Sequence, residues 1–175
     1  NLDVIGDPRA TRDNQRALEA KGLAPLPVFH TGEPWEVLDG YLERYSYIML
    51  GGMVPYVGQK KRLMPWLIKC FKKAEGRAVY HGLGLTSWYG LNSLPWYSVD
   101  SSTWNTGIRY GQPPIFNPKT GTITQIPLGR RRDLWEAHRH IINEMGFWSS
   151  EFSNDRHPSK ERIVDLSCST FQLVE

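Results

Sequence analysis

The sequence predicts an α/β fold of parallel strands alternating with helices, and three observations predict it. Short apolar segments alternate with amphipathic ones from Leu2 to Asp100. The apolar segments end at a histidine, an aspartate or paired glycines before the next helix begins. After Asp100 the alternation stops, and a turn-centred hairpin and helix-like segments follow. Such βαβα alternation implies parallel strands with helices outside them. Five units in 175 residues are too few for a complete eight-stranded barrel, which usually takes more than about 200 residues. The expectation is an incomplete or N-terminally truncated (β/α) TIM barrel with a β-hairpin and C-terminal helices. An open α/β sheet is the alternative.

The elements follow in order. Leu2-Asp3-Val4-Ile5 reads as the first strand, and the polar stretch Asp7 to Lys21 as a helix stopped by Gly22. Pro25 to Phe29 is the next strand, ending at His30. Trp35, Leu38, Leu42 and Tyr45 fall three to four apart and share a helical face. Tyr47 to Leu50 is a strand ending in Gly51-Gly52. Pro65 suits the first turn of a helix, whose apolar face is Leu67, Cys70, Phe71 and Ala74. Lys69, Lys72 and Lys73 are read as solvated charge. Ala78 to Tyr80 runs into His81-Gly82-Leu83-Gly84, and Tyr97 to Val99 ends at Asp100. Ile115-Phe116 and Thr122-Ile123-Thr124 flank the turn Asn117-Pro118-Lys119-Thr120-Gly121. Leu134 to Met145 reads as one helix stopped by Gly146, and Ser159 as the cap of a last helix from Lys160 to about Cys168. Residues 1–129 are expected to form the partial barrel with its catalytic rim and hairpin, and 130–175 a helical segment of the same domain.

A chain of this length supports one domain with a real core. A net charge of +3 and a pI near 8.9 permit a nucleic-acid partner without demanding one. Seven tryptophans and eight tyrosines are first of all core and groove residues, some with the capacity to stack on bases. Cys70 and Cys168, the only cysteines, make neither a disulfide framework nor a structural zinc site, and favour a reducing cytoplasm. No apolar run approaches the roughly 20 residues of a membrane span, and no signal peptide is visible. The chain opens without Met in a strand-like segment, so a fragment, a processed product or one part of a larger domain is expected.

The strand ends carry the candidate chemistry: Asp3, His30, Gly51-Gly52, His81-Gly82 and Asp100. In a barrel of parallel strands these ends meet at one rim, where catalytic groups sit. A carboxylate there acts as nucleophile, base or metal ligand. Glycines let a backbone approach a flat ligand closely. Each residue also has a structural reading. Asp100 before Ser101-Ser102, and Asp3 before Gly6-Asp7-Pro8, suit turns. His30 and His81 suit satisfied structural histidines. Arg130 to Arg132 suit surface charge, with phosphate binding as the minority alternative. His138 and His140 are two apart on a helix and share no face.

The order of strand ends resembles the tRNA-guanine transglycosylase superfamily, from Asp3 to about Gly129. Leu2-Asp3-Val4 is similar to the strand whose Asp reads the guanine edge. Val28-Phe29-His30-Thr31-Gly32 stands where the family has a Gln near the base, with His30 replacing it. Leu50-Gly51-Gly52-Met53 resembles a Gly-Gly-Leu segment whose backbone touches the base, and His81-Gly82-Leu83-Gly84 loosely resembles Met-Gly-Val-Gly. Val99-Asp100-Ser101 matches the context of the nucleophilic Asp. Asn105 to Gly111 and Ile115 to Ile126 are similar to the loop and hairpin after it. The family's Cys-rich zinc subdomain and its early strand with a second catalytic Asp have no counterpart, and the tail from Arg130 differs. Tyr97-Ser98-Val99-Asp100-Ser101-Ser102 looks most like the bacterial and phage branch that places 7-deazaguanines in DNA.

The resemblance implies a pentosyltransferase, similar to queuine tRNA-ribosyltransferases, in a bacterial or phage-infected cytoplasm. The expected reaction is exchange of guanine for a 7-deazaguanine in nucleic acid, DNA favoured and tRNA possible, with no cofactor or metal expected. Asp100 is the expected nucleophile. Asp3, His30, Gly51, Gly52, His81 and Gly82 are expected at the base, and Arg109 at Asp100 or a phosphate. The general base is unassigned. A second copy or a partner chain is a candidate to complete the barrel. Two alternatives stand beside this: a metal-dependent barrel hydrolase using Asp3, His30, His81 and Asp100, and a non-catalytic nucleic-acid-binding or subunit homologue.

Overall fold

In a computed structural model of the chain, residues 2–4, 6–56, 58–85, 88–102, 105–154 and 158–172 are described. The chain divides into two compact units, Asn1–Ser101 and Ser102–Glu175. The hairpin thus falls in the second unit, with the C-terminal helices.

The first unit is built on a parallel sheet of four strands: β1 (Val28–His30), β2 (Tyr47–Gly51), β3 (Val79–Gly82) and β4 (Ser98–Val99). They lie in the order β1-β2-β3-β4, each beside its neighbour in sequence. Barrel closure is not seen among the described residues. Helices α1 (Pro8–Ala20), α2 (Trp35–Leu42), α3 (Lys60–Ala74) and α4 (Trp88–Asn92) alternate with the strands. Side chains along a strand alternate between faces, and here the two faces differ in kind. Phe29, Ile48, Leu50 and Tyr80 are fully buried in one core with Leu38 and Leu42 of α2 and Leu67 and Cys70 of α3. The registered neighbours Met49, His81 and Ser98, with Tyr47 and His30, are only half-buried.

Local sequence explains most boundaries. Asp7 caps α1 by accepting hydrogen bonds from the amides of Arg9 and Ala10, both at 3.0 Å, and Pro8 follows at the first helical position. Leu2–Val4 is not a strand, contrary to the periodicity reading, and Ile5 lies outside the described residues. Its backbone is satisfied by the next helix instead: the Val4 amide donates to Thr11 Oγ1 at 2.9 Å, and Asn14 Nδ2 donates to the Leu2 carbonyl at 3.0 Å. Helix α3 starts at Lys60, so Pro65 is an interior residue, not a first-turn one. Leu63 and Met64 are buried and hold this earlier turn on the core. Pro65 forgoes only its bond to the carbonyl of Lys61, an exposed residue that water can solvate.

The second unit holds α5 (Thr106–Tyr110), the antiparallel hairpin β5 (Pro114–Asn117) and β6 (Thr122–Gln125), and α6 (Arg132–Ala137), α7 (Arg139–Glu144), α8 (Ser149–Ser153) and α9 (Lys160–Gln172). Ile115, Ile126, Trp135, Ile142, Phe152 and Leu166 form its core. The single helix expected from Leu134 to Met145 is two. His138 leaves helical geometry at φ −99°, ψ 6°, with its ring Nδ1 2.9 Å from the Leu134 carbonyl. Arg162 of α9 forks onto Glu151 of α8 at 2.8 and 3.2 Å. Ser159 caps α9 by accepting from the Arg162 amide at 3.3 Å. Among the described residues no helix is long and apolar enough to cross a membrane.

Candidate functional site

Parallel pairing aligns the strand ends. His30 stands opposite Gly51, Leu50 opposite Gly82, and Gly82 opposite Val99. His30, Gly51-Gly52, Gly82 and Asp100 therefore lie along the C-terminal edge of one sheet, where open α/β sheets carry their ligands.

At the β4 end, the Asp100 side chain is 59% exposed and its Oδ1 is held at two points. The Gly84 amide donates to it at 2.8 Å, and His81 Nε2 lies 3.4 Å away. Gly84 presents that amide from a left-handed turn at φ +65°, a conformation open to glycine at little cost. No described residue is hydrogen-bonded to Oδ2. The other ring nitrogen of His81, Nδ1, is 2.7 Å from Ser98 Oγ, which is itself 2.7 Å from the Tyr47 hydroxyl. Register creates this chain of contacts, because His81 and Ser98 are paired across β3 and β4.

At the β1 end, His30 Nε2 lies 3.3 Å from Asp3 Oδ2, and Nδ1 lies 3.7 Å from Glu33 Oε1. Glu33 also accepts the His30 backbone amide at 2.8 Å. The Glu33 carboxylate, with help from Asp3 and against partial burial, holds the His30 imidazole above its ordinary pKa. The ring lies over Gly51: a Cβ there would sit 2.9 Å from His30 Cδ2 and from Val28 Cγ1. Thr31 ties down the next residue, its hydroxyl donating to the Gly52 carbonyl at 2.7 Å and its amide to the Gly51 carbonyl at 3.1 Å. A Cβ on Gly82 would meet Trp96 at 3.0 Å.

Asp3 is thus joined to His30, and His81 to Asp100. Arg109 lies on α5 of the second unit, where its guanidinium sits 5.4 Å from the ring centre of its neighbour Tyr110. That unit also carries an open groove of about 800 Å³ whose lining, among the described residues, includes Tyr110, Arg130, Lys160 and Ile163 but no carboxylate. Sequence reasoning missed Glu33, Ser98 and Tyr47. Glu33 had a faint signal, three residues after His30 across a Thr-Gly turn. Ser98 and Tyr47 had none, because only strand register brings them to His81.

Both imidazoles engage partners at both ring nitrogens. Among the described residues no group of three or more His, Cys, Asp or Glu side chains is placed to hold a metal ion. Comparison with protein-family models, curated proteins and solved structures finds no match.

Proposed function

We propose that this chain is a guanine transglycosylase-type pentosyltransferase, exchanging guanine for a 7-deazaguanine in nucleic acid, with DNA the favoured polymer and tRNA the alternative. One observation carries the reading: an accessible carboxylate, Asp100, ends a parallel strand with one oxygen anchored and the other unpartnered among the described residues. Asp100 attacks C1′ of the target nucleoside and guanine leaves, giving a covalent sugar–enzyme ester. The incoming base then displaces Asp100. A carboxylate suits both steps, because it can attack a cationic sugar carbon and later leave it.

The β1 end supplies base recognition. Asp3, in its carboxylate form, accepts hydrogen bonds from the guanine N1–H and exocyclic amine, and His30 steadies it from 3.3 Å. The Gly51-Gly52 backbone borders the purine, and the missing Cβ atoms leave the space that the His30 and Thr31 side chains fill. Gly82 and His81 border the nucleophile, and Arg109 takes a backbone phosphate. The target base reaches such a site only when unstacked or single-stranded. The sheet, packed on its helices through one face and carrying His30, Tyr47, His81 and Ser98 beside Val28 and Met49 on the other, is read as an arc of a (β/α) barrel whose lumen is that mixed face.

The test offers labelled guanine and 7-cyano-7-deazaguanine with DNA and with tRNA to the wild type and to Asp100→Asn. Exchange and a denaturation-resistant adduct are expected for the wild type, both lost in the variant. An Asn variant that still traps nucleic acid would overturn the nucleophile. Folded wild type without exchange on either polymer would leave the non-catalytic binding or subunit reading in its place.

A further inference from the structure

Tyr47, Ser98, His81 and Asp100 form one continuous line of polar contacts at 2.7, 2.7 and 3.4 Å. With a neutral His81 ring, the bonding capacities of these groups give it one direction. His81 Nε2 faces Asp100 Oδ1 at 3.4 Å, a longer electrostatic contact than the other two, and a carboxylate there favours a ring hydrogen on Nε2. A neutral imidazole with its proton on Nε2 has an acceptor at Nδ1. The Ser98 hydroxyl donates to that acceptor, and its own lone pair accepts from the Tyr47 hydroxyl. The bond made by one ring nitrogen sets the state of the other. The His81 side chain is 14% exposed, so solvent competes little for these bonds.

We infer that Tyr47, Ser98 and His81 are a positioning relay for Asp100: they lock His81 as the neutral Nε2–H tautomer, which with the Gly84 amide pins Oδ1 and leaves Oδ2 to form the bond to the sugar. This rests on the transglycosylase reading for its second half only. In the reaction, an Oδ2 electron pair forms the bond to C1′ as the C1′–N9 bond breaks. The departing guanine keeps the C1′–N9 bonding pair and takes a proton from water. In the second half, N9 of the incoming base bonds to C1′, its N9 proton passes to water, and Asp100 recovers its electron pair. His81 transfers no proton; its work is to hold one oxygen still and keep the carboxylate from being paired with a full positive charge.

The test has two readouts on the full chain. Long-range ¹H–¹⁵N NMR of protein labelled in histidine nitrogen reads the His81 tautomer directly. Adduct formation with a single-stranded guanine-containing oligonucleotide reads the rate. The wild type should show the Nε2–H tautomer at neutral pH. Ser98→Ala should give a tautomer mixture and slow adduct formation about 3- to 10-fold, the worth of one hydrogen bond, with KM unchanged. Ser98→Thr, which keeps the hydroxyl, should restore both, and Tyr47→Phe should shift both less. A doubly protonated or Nδ1–H His81 in the wild type, or Ser98→Ala with wild-type tautomer populations, would overturn the relay. If the tautomer behaves as stated but no adduct forms with any polymer, the lock stands and the transglycosylase reading falls.

Discussion

His30 is flanked by two carboxylates, and this makes its protonation a term in the stability of the fold. The Glu33 carboxylate, then Asp3, raise its pKa above the ordinary 6.5 in spite of partial burial. Between the unfolded and folded values the native state holds more protons than the unfolded chain, so stability falls as pH rises. The stabilisation is fully present below about 6.5, the unfolded value, and is lost as pH rises through the raised folded one. Urea midpoints of the wild type should therefore fall more steeply above neutral pH than those of His30→Asn. Parallel profiles would mean that the contacts at 3.3 and 3.7 Å carry no charge pairing in solution. Glu33→Gln should remove more of the slope than Asp3→Asn, because Glu33 is the larger cause of the shift.

At the scale of elements, two helical glycines give opposite forecasts for the same substitution. A Cβ on Gly40, within α2, meets nothing within 4 Å. Gly40→Ala should stabilise by about 0.5–1 kcal/mol through lower unfolded-state entropy and better helix propensity. A Cβ on Gly107, within α5, would lie 2.7 Å from Ile163 Cγ2 and 3.0 Å from Ser167 Oγ of α9. Gly107→Ala should destabilise by about 1–3 kcal/mol as α5 is pushed off α9. Urea unfolding of both variants checks the pair, and equal signs would refute the packing of α5 on α9. The elements themselves were legible where a local signal matched the tertiary outcome. Asp7-Pro8 marked the start of α1, Asn117 to Gly121 marked the hairpin, and glycines or histidines closed β1 to β3. Leu2–Val4 misled because alternation does not reveal whether a partner strand exists, and here Thr11 and Asn14 take the backbone bonds. The split at His138 was hidden because a side chain reaching back to a carbonyl leaves no periodic trace. The same limit applied to the site. Its strand-end residues were readable one by one, but the joining of Asp3 to His30 and of His81 to Ser98 is a product of register and chain return.

At the scale of the molecule, each unit has its own apolar core, and they carry different surfaces. The first presents the strand-end carboxylates and imidazoles. The second presents the groove containing Tyr110, Arg130 and Lys160, without a carboxylate among the described residues of its lining. An exposed tyrosine beside cations is the composition that holds single-stranded nucleic acid, with the ring stacking on bases and the cations neutralising phosphates. Tyr110 is 64% exposed, with the Arg109 guanidinium 5.4 Å from its ring centre, so much of the ring remains for such stacking. If the groove tracks the strand, affinity falls with salt, and each lost phosphate contact lowers the log–log slope by about 0.7 for single strands. Arg130→Glu with Lys160→Glu should flatten that slope by about 1.4 units and weaken binding of a fluorescent single-stranded oligonucleotide. Tyr110→Ala should weaken binding by the equivalent of about 1–3 kcal/mol with the slope unchanged, since a stacked ring releases no counterion. Asp100→Asn should bind like the wild type, because in the proposed reaction Asp100 acts only after capture. Slopes that do not move in the double variant would place the phosphates elsewhere, and a slope that moves in Tyr110→Ala would mean that the tyrosine positions the cations rather than a base.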